Sequence, residues 1–117
     1  MKDFTKAIFI GATLLSSALV AGQSSAQTTV GPSAIRVLNG GWAADQISLG
    51  FGATAANPAG CPSSDLYEIA STNGGYKTIL ATALTAISMG QNVSIVASNS
   101  TCGATGRPLI IGIQLTP

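Results

Sequence analysis

The fold of this chain is decided by residues 76–97, which read YKTILATALTAISMGQNVSIVA. In the first half, apolar residues recur with the three- and four-residue spacing of an amphipathic helix: Tyr76, Ile79, Leu80, Ala83, Leu84 and Ile87. The helix is predicted to end at Gly90. Val93, Ile95 and Ala97 then follow the alternating pattern of a strand. A helix that runs directly into a strand indicates a fold built from both kinds of element.

Four more strands are predicted outside this stretch, from short runs in which apolar residues alternate with others. The first two form a hairpin, because the Asn-Gly-Gly sequence at 39–41 between them is a strong turn signal. Residues 27–32 read as a polar leader, and residues 52–64 and 99–108 as surface loops. The four predicted strands cover residues 34–38, 46–51, 66–70 and 109–115.

The predicted order is therefore strand, strand, strand, helix, strand, strand. A helix between the third and fourth of five strands is the layout of an OB-fold, a small five-stranded barrel. The fold class is thus predicted to be mainly β with one helix (α+β), and the helix covers the open end of the barrel with its apolar stripe. A sheet of similar connectivity, with the helix laid across one face, is the competing arrangement.

The first 26 of the 117 residues have the order of a secretory signal peptide. Two lysines precede an apolar run at residues 7–21, and small residues fit a cleavage site directly before Gln27. The run is roughly 15 residues long, shorter than the ~20 that span a bilayer. An uncleaved membrane anchor is the alternative. We expect residues 27–117 to be a single exported domain, periplasmic or secreted, with no membrane insertion after cleavage.

Export makes a disulfide between the two cysteines, Cys61 and Cys102, the expected state. The bond would close a loop of about 40 residues around the helix and the strand after it, which contributes roughly 4 kcal/mol by the chain-entropy estimate. A mature domain of about 90 residues has a small core, so this contribution is a large share of its stability. Free thiols and intermolecular bridges are the alternatives.

The composition argues against catalysis and against nucleic acid as a partner. The sequence contains no histidine, which excludes Ser-His and Cys-His nucleophiles and histidine-based zinc sites, so we expect no metal and no cofactor. Three basic residues balance three acidic ones after the signal peptide, which leaves no footprint for phosphate backbones. A glycosidase-like pair would have to come from Asp45, Asp65 and Glu68, and solvated charges explain these better.

Three residues are candidates for ligand binding on their chemistry. Trp42 follows the turn at 39–41, where an indole can stack on a sugar or a partner; alternatively it folds down over one end of the barrel. Tyr67 on the third strand lines the same surface or belongs to the barrel wall. Arg107, in the second polar loop, pairs with a carboxylate or is a solvated turn charge.

Several features succeed one another along the mature chain. A hairpin strand at 46–51 is followed by Cys61 in a Gly-rich loop, and a second cysteine, Cys102, precedes a last Ile-rich strand. Between the cysteines, the helix-to-strand segment reads Tyr76-Lys77-x-x-Leu80-x-Thr82-Ala83-Leu84-x-Ala86 and then Gly90-x-x-Val93-x-Ile95. In this order the features resemble the subtilase cytotoxin B-subunit-like family of small exported bacterial proteins.

The resemblance implies an OB-fold with a disulfide. In the toxin member it also implies a pentameric ring that binds sialylated glycans and carries a protease subunit. That toxin reads its glycan with an acidic residue and a serine at the start of the first strand. Residues 31–34 of this chain read Gly-Pro-Ser-Ala, so Ser33 corresponds to the serine, and the acidic neighbour is missing.

These observations predict an exported, non-catalytic, toxin-B-subunit-like binding protein that recognises a glycan or a protein. A homo-oligomer, by resemblance a pentamer, would present several such sites. The alternative is a monomeric periplasmic or secreted inhibitor or accessory protein that blocks a partner with its Gly-rich loops. A small hydrolase is the third hypothesis, which rests only on the three carboxylates.

Overall fold

The computed structural model describes residues 27–41 and 45–117, so the predicted signal peptide lies outside the described residues. The described chain is mainly β with one helix, and a disulfide joins Cys61 to Cys102, as predicted. In chain order the elements are β1 (Gln27–Ala34), β2 (Val37–Gly40), β3 (Ile47–Gly50), β4 (Tyr67–Ile69), α1 (Tyr76–Met89), β5 (Asn92–Cys102) and β6 (Pro108–Thr116). No helix in the described ranges is long and apolar enough to cross a membrane.

All six strands belong to one sheet with the order β1-β5-β6-β4-β3-β2. Neighbouring strands are antiparallel except β4 and β6, which run parallel with Glu68 opposite Leu109. The two edge strands, β1 and β2, are consecutive in the chain and separated only by Ile35 and Arg36. One continuous stretch, residues 27–40, therefore pairs with β5 through its first half and with β3 through its second half.

The polar leader predicted at residues 27–32 is wrong, since these residues lie in β1. The strand pairs antiparallel with β5 from Gln27 opposite Ser98 to Ala34 opposite Asn92, with a register shift at the cis Gly31-Pro32 bond. Because backbone hydrogen bonds hold β1, its side chains can be polar, and the sequence shows little alternation. The predicted strand at 34–38 is accordingly divided between β1 and β2.

The sheet thus has six strands where five were predicted, and the helix follows the fourth strand instead of the third. The loop predicted at 99–108 is also shorter, because β5 continues to Cys102 and β6 begins at Pro108. The strands predicted at 46–51, 66–70 and 109–115 are present, and each of their ends differs by one residue.

Helix α1 ends where the sequence predicts, at Gly90. Gly90 has φ 64°, in the left-handed region, and the next N–H, of Gln91, donates to the Ala86 carbonyl oxygen over 2.9 Å. Glycine suits this position because it lacks the Cβ that makes left-handed backbone costly for other residues.

The core lies where α1 packs on β4, β5 and β6. The helix contributes four buried residues: Tyr76, Ile79, Ala83 and Ala86. The two alanines are fully buried, which brings the helix close to the sheet. The predicted stripe is therefore wrong in its second half, because Leu84 is 48% and Ile87 is 44% exposed. The buried face is rotated away from these two residues, and Leu80 lies partly buried at its margin.

Candidate functional site

An open groove of about 300 Å³ separates α1 from the β2–β3 hairpin. Its helix side is a stripe at four-residue spacing, Tyr76, Leu80 and Leu84, which places the three side chains on one face. Its hairpin side is formed by the facing ends of β2 and β3 and by the residues that flank the turn between them: Leu38, Asn39, Gly40, Gly41, Asp45, Gln46 and Ile47. The groove therefore combines aliphatic walls with a polar rim.

The polar rim offers one charge and one hydroxyl donor close to each other. Burial first, and then the negative charge of Asp45, raise the pKa of the Tyr76 phenol above its ordinary value of 10.0. Tyr76 keeps its proton at neutral pH, as a phenol with the ordinary pKa already does. Its hydroxyl forms no hydrogen bond within the described part of the chain, so it can donate one to a ligand.

Of the residues predicted to bind a ligand, Trp42 lies outside the described residues. The chain on both sides of it lines the groove, through Gly41 and Asp45. Tyr67 is 2% exposed and belongs to the core. Its hydroxyl accepts a hydrogen bond from the Ala56 N–H over 2.7 Å, and its ring centroid lies 5.9 Å from that of Phe51. The structure thus places Tyr67 in the wall of the sheet, one of the two positions that the sequence allows.

Ser33 lies in β1 opposite Val93 of β5 and is half-buried. It is not among the residues that line the described groove. Tyr67 and Arg107 are likewise absent from the lining of this groove. The sequence prediction missed most of the lining residues, and Leu84 in particular was assigned to the core.

Arg107 pairs with Asp65 through two hydrogen bonds. Its Nε donates to Oδ1 over 2.8 Å and its Nη2 donates to Oδ2 over 3.1 Å, a bidentate arrangement. The bonds from Arg107 lower the pKa of Asp65 from 3.8 to about 2, and the same contact raises the pKa of Arg107. The carboxylate that Arg107 engages is therefore one of the protein's own, and the pair ties the loop before β4 to the start of β6.

We expect the stabilising effect of this pair to disappear in acid. The pKa of Asp65 is lower in the folded protein than in the unfolded chain, so the contribution is complete above about pH 4 and is lost as the pH falls through about 2. The melting temperatures of the parent and of Asp65→Asn should be measured from pH 5 to pH 2 at one ionic strength. The difference between them should shrink with acidification, and two parallel curves would contradict the assignment.

Glu68 is a site that the sequence did not predict. The side chain is fully buried in β4, although it was interpreted as a solvated charge. Its Oε2 accepts the N–H of Ala104 over 3.0 Å, and its Oε1 accepts both the N–H of Thr105 over 3.1 Å and the Thr105 hydroxyl. Glu68 thus holds the 103–107 turn against the sheet. A lone acidic residue between Tyr67 and Ile69 was the only signal.

The three carboxylate side chains of residues 27–117 therefore have three different surroundings. Asp45 lines the groove, Asp65 pairs with Arg107, and Glu68 is buried beneath the turn. Within the described residues, no three His, Cys, Asp or Glu side chains are grouped so that they could hold a metal ion.

No protein-family model, curated protein or solved structure matches this chain. Function is therefore inferred from the groove and from the residues that line it.

Proposed function

We propose that this chain is an exported, non-catalytic binding protein and that the groove between α1 and the β2–β3 hairpin receives its ligand, a glycan or a protein. The observation that carries the proposal is the groove itself, with Leu84 still 48% exposed at its rim. A concave, mostly apolar surface with a few polar groups is the usual form of a ligand site. The disulfide is compatible with export.

The aliphatic rim supplies the free energy for association. Covering an exposed leucine removes apolar surface from water, at about 25 cal/mol per Å². In the free protein the exposed part of Leu84 gives no such gain in free energy, because it faces solvent. The gain is therefore realised only when a ligand covers the groove.

We also propose that the sheet wraps into an OB-fold-like barrel, with β1 and β2 as two halves of one first strand. Two observations support this: β1 and β2 stand at opposite ends of the strand order, and only Ile35 and Arg36 separate them in the chain. Counted in this way there are five strands, with α1 between the third and the fourth. Because this layout agrees with an OB-fold, we retain two further proposals: membership of the toxin-B-subunit-like family and assembly into a pentameric ring.

Two neutral substitutions on the same helix test the groove. A glycan array and a peptide library, screened with the oxidised protein, supply the ligand. We then expect Leu84→Gln to weaken binding roughly five- to thirtyfold, since about 1–2 kcal/mol of apolar burial is lost. Ile87→Gln is the matched control, because Ile87 is similarly exposed on α1 but does not line the groove. Isothermal titration calorimetry measures both, and circular dichroism checks that both variants fold.

The opposite ranking, with Ile87→Gln the weaker binder, would move the site to the outer face of the helix. Trp42→Ala provides a further test that comes from the sequence. We expect it to weaken glycan binding with folding intact, and parent-like affinity in this variant would remove Trp42 from the proposed site.

The second proposal, a monomeric inhibitor or accessory protein, is favoured by the aliphatic character of Leu38, Ile47, Leu80 and Leu84, which suits a protein surface. Native mass spectrometry of the oxidised protein separates the two proposals. A stable pentamer supports the toxin-subunit-like reading, whereas a monomer lacks the multivalency on which weak glycan binding depends.

A further inference from the structure

We infer that the groove takes an apolar side chain of a protein ligand together with a positively charged group beside it. This inference rests on the proposed binding function and names the ligand chemistry for the same site. It is carried by the lining of the groove, by the charge at its rim and by the Tyr76 hydroxyl, which forms no hydrogen bond with the described residues.

The walls of the groove fit an aliphatic group better than a sugar. A sugar ring presents hydroxyls that need hydrogen-bond partners, and those hydroxyls would lose water against Leu38, Leu80 and Leu84 without replacement. A branched aliphatic side chain has no such requirement.

The rim of the groove is complementary to a cation. Asp45 alone carries a charge among the described lining residues, and it is exposed. It forms no ion pair with any described residue. An ammonium or guanidinium group next to the apolar anchor would face this carboxylate, whereas an anionic group would be repelled by it.

The Tyr76 hydroxyl completes the recognition of a peptide. Tyr76 is the first residue of the helix stripe that lines the groove, and a phenol is protonated at neutral pH. A protonated phenol donates a hydrogen bond, and a peptide carbonyl oxygen is the acceptor that accompanies every apolar side chain of a protein. We therefore expect the groove to bind an aliphatic residue, the backbone carbonyl of that residue and a neighbouring lysine or arginine.

Three small probes separate these elements. Isopentylammonium carries an isopentyl group with a cation, 4-methylpentanoate carries the same isopentyl group with an anion, and methyl β-galactoside represents a sugar. Each is titrated into ¹⁵N-labelled oxidised protein, and the amide signals of Gly40, Gln46 and Leu84 are followed by NMR. We expect isopentylammonium to shift these signals, 4-methylpentanoate to shift them at several-fold higher concentration, and the glycoside to leave them unchanged.

Asp45→Asn should weaken isopentylammonium binding about two- to fivefold, the range of an exposed ion pair. The affinities of the two aliphatic probes should then become similar. Leu84→Gln should weaken both aliphatic probes equally. Shifts from the glycoside with none from isopentylammonium would overturn this inference and leave the proposed binding function standing. If none of the three probes shifts the amide signals of the groove, both this inference and the proposed binding function are overturned. Isopentylammonium binding that neither substitution changes would show that the probe acts elsewhere and would also overturn the inference.

Discussion

Replacement of both cysteines by alanine is expected to lower the free energy of unfolding by about 4 kcal/mol. The disulfide joins residues 41 positions apart and closes a loop that contains β4, α1 and most of β5. Without the bond, the unfolded chain gains the conformational freedom of that loop, while the folded state changes little. A small domain has a total stability of about 5–15 kcal/mol, so the loss is a large part of the whole.

In the folded state the disulfide anchors the segment between β3 and β4, which has no helix or strand of its own. There Asn57 brackets Cys61, accepting from its N–H over 2.7 Å and donating to its carbonyl oxygen over 2.8 Å. The Ser63 N–H donates to the Gly106 carbonyl oxygen over 2.9 Å. The Asn57 bonds hold the segment around Cys61, while the Ser63 bond and the disulfide join it to the turn after β5 and to the end of β5.

Urea unfolding of three samples measures this contribution: oxidised parent, parent with a reductant, and the double alanine variant. We expect the unfolding free energy of the reduced parent to approach that of the variant. The reductant should leave the unfolding free energy of the variant unchanged. A difference below about 1 kcal/mol between oxidised parent and variant would mean that the folded state, through strain or rearrangement, offsets the chain-entropy term.

Local patterns predicted the elements whose determinants are local. The spacing of Tyr76, Ile79 and Ala83 predicts the body of α1, and the glycine at position 90 predicts its C-terminal end. The cysteine pair was predictable because the predicted signal peptide implies an oxidising compartment. Each of these depends on neighbours in the sequence or on composition, which a single sequence shows directly.

What was missed depends on partners far away in the chain. Residues 27–34 form a strand only because β5, about 65 positions later, offers its free edge. Glu68 is buried only because the turn at 103–107 closes over it with two amides and a hydroxyl. The exposure of Leu84 follows from the rotation of α1 on the sheet, which the apolar pattern of the helix leaves open. The groove was missed for the same reason, since it lies between two elements that are separate in sequence.

The contact between Glu68 and Gly103 leads to the second large effect, a strong coupling between two substitutions. A Cβ placed on Gly103 would overlap the Glu68 carboxylate, closer than real Cβ atoms approach any atom. Gly103→Ala must therefore displace either the carboxylate or the turn, and either movement breaks hydrogen bonds to a buried acidic group. We expect it to cost about 3 kcal/mol of unfolding free energy or more.

Glu68→Ala is expected to cost about 2–3 kcal/mol, because it removes the acceptor of two backbone N–H groups and leaves a small void. In the Glu68→Ala variant, the carboxylate that a Cβ at position 103 would overlap is absent. The added methyl should then cost less than about 1 kcal/mol, so the double variant is more stable than the sum of the single changes predicts. Contacting residues commonly show such coupling, up to about 3 kcal/mol.

Gly74→Ala is the matched control for the methyl group. Gly74 is also a loop glycine, and a Cβ there meets no atom within 4 Å. Its substitution should be neutral or slightly stabilising, since alanine restricts the unfolded chain more than glycine does. Urea unfolding of the four members of the cycle and of the control decides the matter. Additive costs for Glu68→Ala and Gly103→Ala would show that the turn does not rest on the carboxylate, and the loop closed by the disulfide would then be the main constraint on this end of the sheet.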